Sequence, residues 1–167
     1  MLHLRAANLA DLDEQYRCFT RIPADDNGFT NPDAEVSRAE FARRVVPQMM
    51  AHARGEQLPP GYVPQTSYFL WRDHEIVGLF RLRHCLNDFL RQYHGHVGYY
   101  ICPEYRGQGL ATAGLRLLTA QARLIIPEQE LYLSCLRTNP ASLRVQQKAG
   151  AYLHHEDGTY YYTRIPL

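Results

Sequence analysis

Apolar positions along the chain recur with two periods, which separate predicted strands from predicted helices. Strands are predicted where β-branched and aromatic residues alternate or cluster, at residues 2–6, 66–71, 76–82, 96–102, 131–135, 151–155 and 159–165. Helices are predicted where apolar residues fall on one stripe, at residues 8–20, 37–53, 110–124 and 140–149. This order of elements predicts an α/β domain with a mixed sheet.

Capping and breaking residues refine the ends of these elements. Ser37, with Glu40 three residues on, resembles a capping box, whereas Pro47 predicts a break or kink inside the same helix. Residues 21–34 contain two prolines and a glycine and are predicted to form a loop. Asp157-Gly158 predicts the turn of a closing β-hairpin.

Composition narrows the classes of protein that the chain can belong to. It has 167 residues, 46% of them hydrophobic and 21% charged, with a formal net charge of +1. A length of this order predicts one domain spanning residues 1–167. A net charge this close to zero does not attract nucleic acid or an anionic membrane electrostatically, so neither is expected as a partner. No apolar stretch approaches the roughly 18 residues that cross a bilayer.

The number and spacing of the cysteines indicate the cellular compartment in which the protein is expected. The four cysteines form no CxxC pair, and the first residues of the chain resemble a strand rather than an export signal. We therefore expect the cysteines to be reduced and the protein to be cytoplasmic. A metal site is not expected, because the histidines and cysteines lack paired ligand spacing.

The most informative segment is a glycine-bearing turn between a predicted strand and a predicted helix. It reads Pro-Glu-Tyr-Arg-Gly-Gln-Gly-Leu-Ala over residues 103–111. Gly107 and Gly109 let the backbone turn tightly and approach a ligand, and the free N–H groups at the start of the helix attract anions. Arg106 adds a forked cationic donor. The turn matches neither the Walker pattern nor the dinucleotide fingerprint, so spacing alone leaves a plain structural turn as the alternative.

Residues 101–111 resemble the acetyl-coenzyme A signature of the GNAT superfamily of N-acetyltransferases, through Arg106, Gly109 and Ala111. Residues 139–151 are similar to the second cofactor segment of that family. The resemblance implies a mixed, mostly antiparallel sheet of about six to seven strands flanked by about four helices. Residues 82–90 and 95–99 more narrowly resemble a group of bacterial predicted acetyltransferases whose substrates are unassigned.

The resemblance also implies roles for individual residues. The strand before the turn would offer backbone groups to the pantetheine arm of acetyl-CoA, the turn would hold the diphosphate, and the second segment would contact the rest of the cofactor. The expected cofactor residues are Tyr99, Tyr100, Ile101, Arg106, Gly107, Gln108, Gly109, Leu110, Ala111, Asn139 and Ser142. For Asn139, a simple helix cap is the alternative.

Acetyl transfer needs a base, because an alkyl ammonium with a pKa of about 10.4 is almost fully protonated at neutral pH. His96 lies where the family often carries a glutamate, and it is the candidate base; the alternative is a histidine that only forms hydrogen bonds at the start of the strand. The usual acid of the family is a tyrosine seven residues after the asparagine. Here that position is Gln146, so the acid is unassigned.

The acceptor is expected to enter where His84, Asn87, Tyr93 and His94 lie, with His84 and Asn87 as the residues that contact it. The favoured function is transfer of an acetyl group to a primary amine of a small molecule or an amino-acid-like acceptor. The alternatives are a non-catalytic acyl-CoA-binding or sensor domain, which Gln146 favours, and a protein N-acetyltransferase. The oligomeric state stays open, with a homodimer as one option.

Overall fold

The computed structural model describes residues 1–167. The strands are β1 Leu2–Ala6, β2 Asp25–Asp26, β3 Phe29–Thr30, β4 Gln65–Arg72, β5 Glu75–Arg83, β6 Val97–Ile101, β7 Glu130–Leu136, β8 Tyr152–Glu156 and β9 Tyr160–Pro166. The α-helices are α1 Leu12–Phe19, α2 Arg38–Glu40, α3 Val46–Ala53, α4 Leu110–Ile125 and α5 Pro140–Lys148. Two π-helical turns, Phe41–Val45 and Leu90–His94, and one 3₁₀ turn, Pro103–Tyr105, complete the chain.

The strands form a four-stranded sheet in the order β1-β4-β5-β6, a three-stranded sheet in the order β7-β9-β8, and the small hairpin β2-β3. Every pairing is antiparallel. Alternate residues of β5 face opposite sides of the larger sheet. Leu79 packs with Phe19 and Phe41 on the side of α1, whereas Phe80 packs with Leu115 on the side of α4.

The two larger sheets meet at one point and then separate. The N–H of His96 donates to the carbonyl of Tyr132 at 2.8 Å, and the N–H of Tyr132 donates to Nδ1 of His96 at 2.9 Å. Gly95 has φ +65°, and a Cβ there would overlap the carbonyl of Tyr132. Because β6 and β7 belong to different sheets, they diverge beyond this vertex and leave a gap between them.

All seven predicted strands are present, and the fold class and the Asp157 turn are confirmed. The hairpin β2-β3 was not expected, because its strands of two residues are too short for a periodic signal inside residues 21–34. The first helix begins at Leu12 rather than at residue 8, since the side chain of Asn8 accepts from the N–H groups of Ala10 and Asp11 and holds a turn there.

Of the two alternatives predicted at Pro47, a break is wrong, whereas the helix does become irregular just before this residue. Residues 38–53 are helical throughout, and Ser37 caps them by accepting from the N–H of Glu40 at 3.2 Å. A π turn precedes Pro47, with the N–H of Val46 donating to the carbonyl of Phe41 five residues back. This wider turn accommodates a residue that has no N–H of its own. None of the helices combines the length and the apolar character that a membrane crossing requires.

Candidate active site

A cavity of about 490 Å³ occupies the gap between β6 and β7. It extends from the loop before α4, past β6, to the end of β5 and the hairpin β2-β3. Ten of the eleven residues expected to bind the cofactor line it: Tyr99, Tyr100, Ile101, Arg106, Gly107, Gly109, Leu110, Ala111, Asn139 and Ser142. The exception is Gln108, whose side chain accepts from Arg72 and donates to the carbonyl of Glu104.

The loop before α4 presents a cluster of backbone donors. Gly107 and Gly109 have φ of +74° and +76°, in the left-handed region that glycine adopts without strain. No hydrogen bond within the chain uses the N–H groups of residues 107–112. These groups surround the positive end of the α4 dipole, so the loop is suited to a diphosphate.

Arg106 is positioned by the fold rather than left free to reach outward. Its Nε donates to the carbonyl of Ile101 at 2.9 Å, and its guanidinium pairs with Asp26 of the hairpin β2-β3 at 2.7 Å. The guanidinium also lies over the ring of Tyr100, 5.2 Å from its centroid. Arg106 therefore connects the anion-binding loop to the hairpin on the other side of the cavity.

The edge of β6 that faces β7 has no ladder partner. The N–H of Cys102 donates to Val77 of β5, whereas the carbonyl of Ile101 accepts from Arg106 on the opposite side. By alternation along the strand, the backbone groups of Tyr99 and Ile101 face the gap. A strand edge with free donors and acceptors is suited to the amide-rich pantetheine arm.

The start of α5 supplies side chains to the same cavity. Asn139 caps the helix by accepting from the N–H of Ser142 at 3.2 Å. The hydroxyl of Ser142 is 2.7 Å from the hydroxyl of Tyr99 and accepts from Gln146 at 3.3 Å. Gln146 in turn accepts from Thr163 at 2.7 Å. Desolvation raises the pKa of Tyr99 to about 12, so its phenol stays protonated at neutral pH.

His96 lies at the vertex and outside the cavity lining. It is fully buried, with 0% of its surface exposed. Because Nδ1 accepts from Tyr132, the proton is on Nε2, which lies 3.1 Å from Glu128. Both ring nitrogens are therefore engaged within the fold, a geometry that favours the structural alternative over the base.

The comparisons with known proteins agree with this geometry. Residues 2–152 match the family model described as an acetyltransferase (GNAT) domain. The chain belongs to the GNAT acetyltransferase family. The family resemblance is thereby confirmed, and the chain is an acyltransferase enzyme. A sequence comparison with curated proteins finds no match.

Solved structures show the same fold at low sequence identity. The spermidine N-acetyltransferase SpeG of Vibrio cholerae, as a chimera with hSSAT, has a TM-score of 0.66 and 16% identity over 99% of this chain and 95% of its own. AAC(6')-Ib with ribostamycin and coenzyme A has a TM-score of 0.66 and 16% identity over 99% and 93%. The microcin C7 self-immunity acetyltransferase MccE with acetyl-CoA and AMP has a TM-score of 0.70 and 14% identity over 99% and 92%.

In this GNAT acetyltransferase, the two residues expected to contact the acceptor do not line the cavity. Nε2 of His84 lies 2.8 Å from the hydroxyl of Thr66. Asn87 accepts from the N–H of Leu90 and donates to the carbonyl of Gly61. Both side chains instead form hydrogen bonds with residues next to the four-stranded sheet.

Several cavity residues were not predicted from the sequence, among them Arg81 and Arg83. The alternation of Arg81, Leu82 and Arg83 at the end of an apolar strand was an available signal, since it places both arginines on one face. His94, which was expected near the acceptor entrance, lines the cavity from the end of the π turn Leu90–His94. No group of three or more His, Cys, Asp or Glu side chains is arranged to hold a metal ion.

Proposed function

We propose that the enzyme transfers the acetyl group of acetyl-CoA to a primary amine of a small molecule or an amino-acid-like acceptor by direct attack. One observation carries the proposal: a single cavity joins the unpaired N–H groups of residues 107–112 to a partly buried histidine at its other end. The first feature would hold the diphosphate of the cofactor. The second would face an incoming amine.

Structural neighbours support an amine acceptor and this cofactor. Two of them are a spermidine N-acetyltransferase and an aminoglycoside acetyltransferase, and both the aminoglycoside enzyme and MccE are complexes with coenzyme A or acetyl-CoA. In this chain, the free edge of β6 and the start of α5 would contact the pantetheine arm. The N–H of Tyr99 would donate to the thioester carbonyl as negative charge develops there.

His94, rather than His96, is the proposed base. It lines the cavity, and no hydrogen bond within the chain engages its ring. Burial and the positive charge of Arg83 lower the pKa of His94 below its usual value of 6.5. The imidazole would therefore be neutral at pH 7 and able to accept the proton that the amine loses on attack.

Tyr99 is the proposed donor to the departing thiolate. Its hydroxyl meets Ser142 beside Gln146, the position at which the family usually carries its tyrosine. A phenol with a raised pKa remains protonated and can donate a hydrogen bond to sulfur as the carbon–sulfur bond breaks.

Thiol release from acetyl-CoA across a panel of amines tests the function, and His94→Gln tests the base. The variant should lower kcat by about 10²- to 10⁴-fold, the usual contribution of a general base. In the wild-type enzyme, kcat should fall below pH 6.5 as His94 becomes protonated, and the variant should lose this acid limb. His74→Gln, at an exposed position in the β4–β5 turn, is the matched control and should retain both kcat and the limb.

An alternative function is a non-catalytic acyl-CoA sensor. The observation that favours it is Gln146, a buried amide hydrogen-bonded to Thr163 in place of the usual acid. Tight binding of acetyl-CoA, with no thiol release that depends on any amine, would favour the sensor and contradict the enzymatic proposal.

A further inference from the structure

Two arginines at the end of β5 line the cavity without an acidic partner. Arg81 donates to the carbonyl of Thr30 at 2.8 Å, and Arg83 donates to the carbonyl of Gly95 at 3.0 Å. The only acidic residue in the lining, Asp26, is already paired with Arg106. Two cations therefore face the same space with no counter-charge from the chain.

These arginines are distant from the anion-binding loop. Along the β5–β6 ladder, Arg81 pairs with Gly98, whereas Gly78 pairs with Ile101 next to the loop. Three residues of strand separate the two points by about 10 Å. Arg83 is further still, because its N–H donates to the carbonyl of His96 at the vertex. The two guanidiniums are thus positioned for an anion other than the diphosphate.

Their side chains also lie on the face of the sheet that is opposite α4. Arg81 and Arg83 follow Leu79 at alternate positions, on the face that packs against α1, the π turn Phe41–Val45, α3 and the hairpin β2-β3. The guanidinium of Arg81 is 4.4 Å from the ring centroid of Phe29 in that hairpin. α4 and the second cofactor segment occupy other parts of the cavity wall, where Arg144 and Lys148 supply separate cations.

The arrangement is electrostatically incomplete. Burial, with the neighbouring charge of Arg83, lowers the pKa of Arg81 to about 10, and burial lowers the pKa of Arg83 as well. A guanidinium offers five N–H donors, and the chain accepts from one of them on each residue. An oxyanion between the two side chains would relieve their mutual repulsion and take up the remaining donors.

We propose that Arg81 and Arg83 bind an oxyanion carried by the acceptor, so that the substrates are anionic amines such as amino acids rather than polyamines or aminosugars. The assignment rests on the proposed acetyl transfer. A carboxylate and a phosphate share the required chemistry, since both accept paired N–H donors from a guanidinium.

Matched acceptors test the assignment in the full chain. Each amino acid is compared with its amide, and phosphoethanolamine with ethanolamine, by thiol release from acetyl-CoA. We expect kcat/KM at least about tenfold higher for the oxyanion member of a pair, because charge-assisted hydrogen bonds to a forked donor are among the strongest in proteins. Preference for amino acids alone identifies a carboxylate, and preference for phosphoethanolamine alone identifies a phosphate.

Variants show whether the arginines carry the preference. Arg81→Met and Arg83→Met should reduce the oxyanion-to-neutral ratio of kcat/KM by about 10- to 100-fold and leave the KM for acetyl-CoA unchanged. Arg81→Lys retains the positive charge but not the forked donor, so it should reduce the oxyanion-to-neutral ratio of kcat/KM by less than Arg81→Met does. Arg123→Met, which removes an exposed guanidinium outside this cavity, is the matched control. An effect equal on both members of a pair would identify a merely structural role and overturn the assignment.

A second measurement separates this inference from the proposed function. N-acetylated amino acids and their amides are titrated calorimetrically into the protein saturated with coenzyme A. Arginine-dependent preference for the acid, without thiol release from any amine, would retain the anion site and contradict acetyl transfer. Equal acetyl transfer to amines with and without an oxyanion would support the proposed function and overturn the anion site. If the protein showed neither arginine-dependent binding nor acetyl transfer, both the anion site and the proposed function would be overturned.

Discussion

At the scale of single residues, the chain has Gln146 where the family usually carries a tyrosine, and we propose Tyr99 as the substitute. The amide of Gln146 cannot act as an acid, but it donates to Ser142, and Ser142 meets the phenol of Tyr99. Thr163 donates to the other end of the same amide. The role of a proton donor has thus been transferred, in our proposal, from α5 to β6.

Tyr99→Phe should lower kcat by about 10²-fold, because the departing thiolate would lose its donor. The KM for acetyl-CoA should change little, since the backbone edge of β6 is retained. Tyr152→Phe, at an exposed tyrosine on β8, is the control and should behave as the wild type in steady-state kinetics. A kcat for Tyr99→Phe equal to that of the wild type would remove Tyr99 from the mechanism.

At the scale of elements, the cavity exists because β6 and β7 touch at one end only. Gly95 permits this contact, as its φ of +65° and its close approach to the carbonyl of Tyr132 both exclude a side chain. His96 then joins the strands through its backbone and its ring. Gly95 and His96 therefore form the contact between the two sheets, and His96 is the residue that the sequence had suggested as the base.

Gly95→Ala should destabilise the fold by about 1–3 kcal/mol or more, the usual cost of one strained backbone position, with displacement of Tyr132 in addition. Gly158→Ala is the matched control, because a Cβ there meets nothing within 4 Å, and it should be close to neutral. Urea unfolding measures both. Equal midpoints for the two variants would show that the vertex tolerates a side chain.

At the scale of the whole molecule, two apolar clusters of 14 buried residues cover the two sides of the larger sheet. Histidines are held neutral around this core. Burial lowers the pKa of His84, His94 and His96 from 6.5, which for His96 outweighs the opposing effect of Glu128. The unfolded chain therefore binds more protons than the folded one as pH falls below 6.5.

The sign of the pH dependence follows from this difference. Stability from the neutral histidines is fully present above pH 6.5 and is lost as pH falls through their depressed folded-state pKa values. The free energy of unfolding should thus decrease between pH 7 and pH 5.5. His96→Gln should be less stable at pH 7 but show a smaller decrease, whereas His74→Gln should keep the wild-type slope. A slope unaffected by His96→Gln would contradict this account.

The sequence by itself determined the order of the seven longer strands and the backbone turn before α4. The apolar periodicity of a strand or helix lies within a short segment of sequence, so it predicted the order of seven strands. The glycine spacing likewise predicted the loop at Gly107 and Gly109. Glycine spacing reports backbone conformation directly, so it indicated the turn, whereas the resemblance to the family supplied Tyr99, Asn139 and Ser142; ten of the eleven residues expected in this way line the cavity. The exception, Gln108, depended on where a long side chain turns.

Only the tertiary structure decided which side chains are enclosed in the fold and which line the cavity. His96 and His94 are two residues apart, yet one ring is enclosed between strands and the other opens into the cavity. His84 and Asn87 find partners in the connections around the sheet, and Arg81 and Arg83 find none among the acids. The physical reason is that burial and pairing of a side chain depend on residues distant in sequence, which local patterns do not encode.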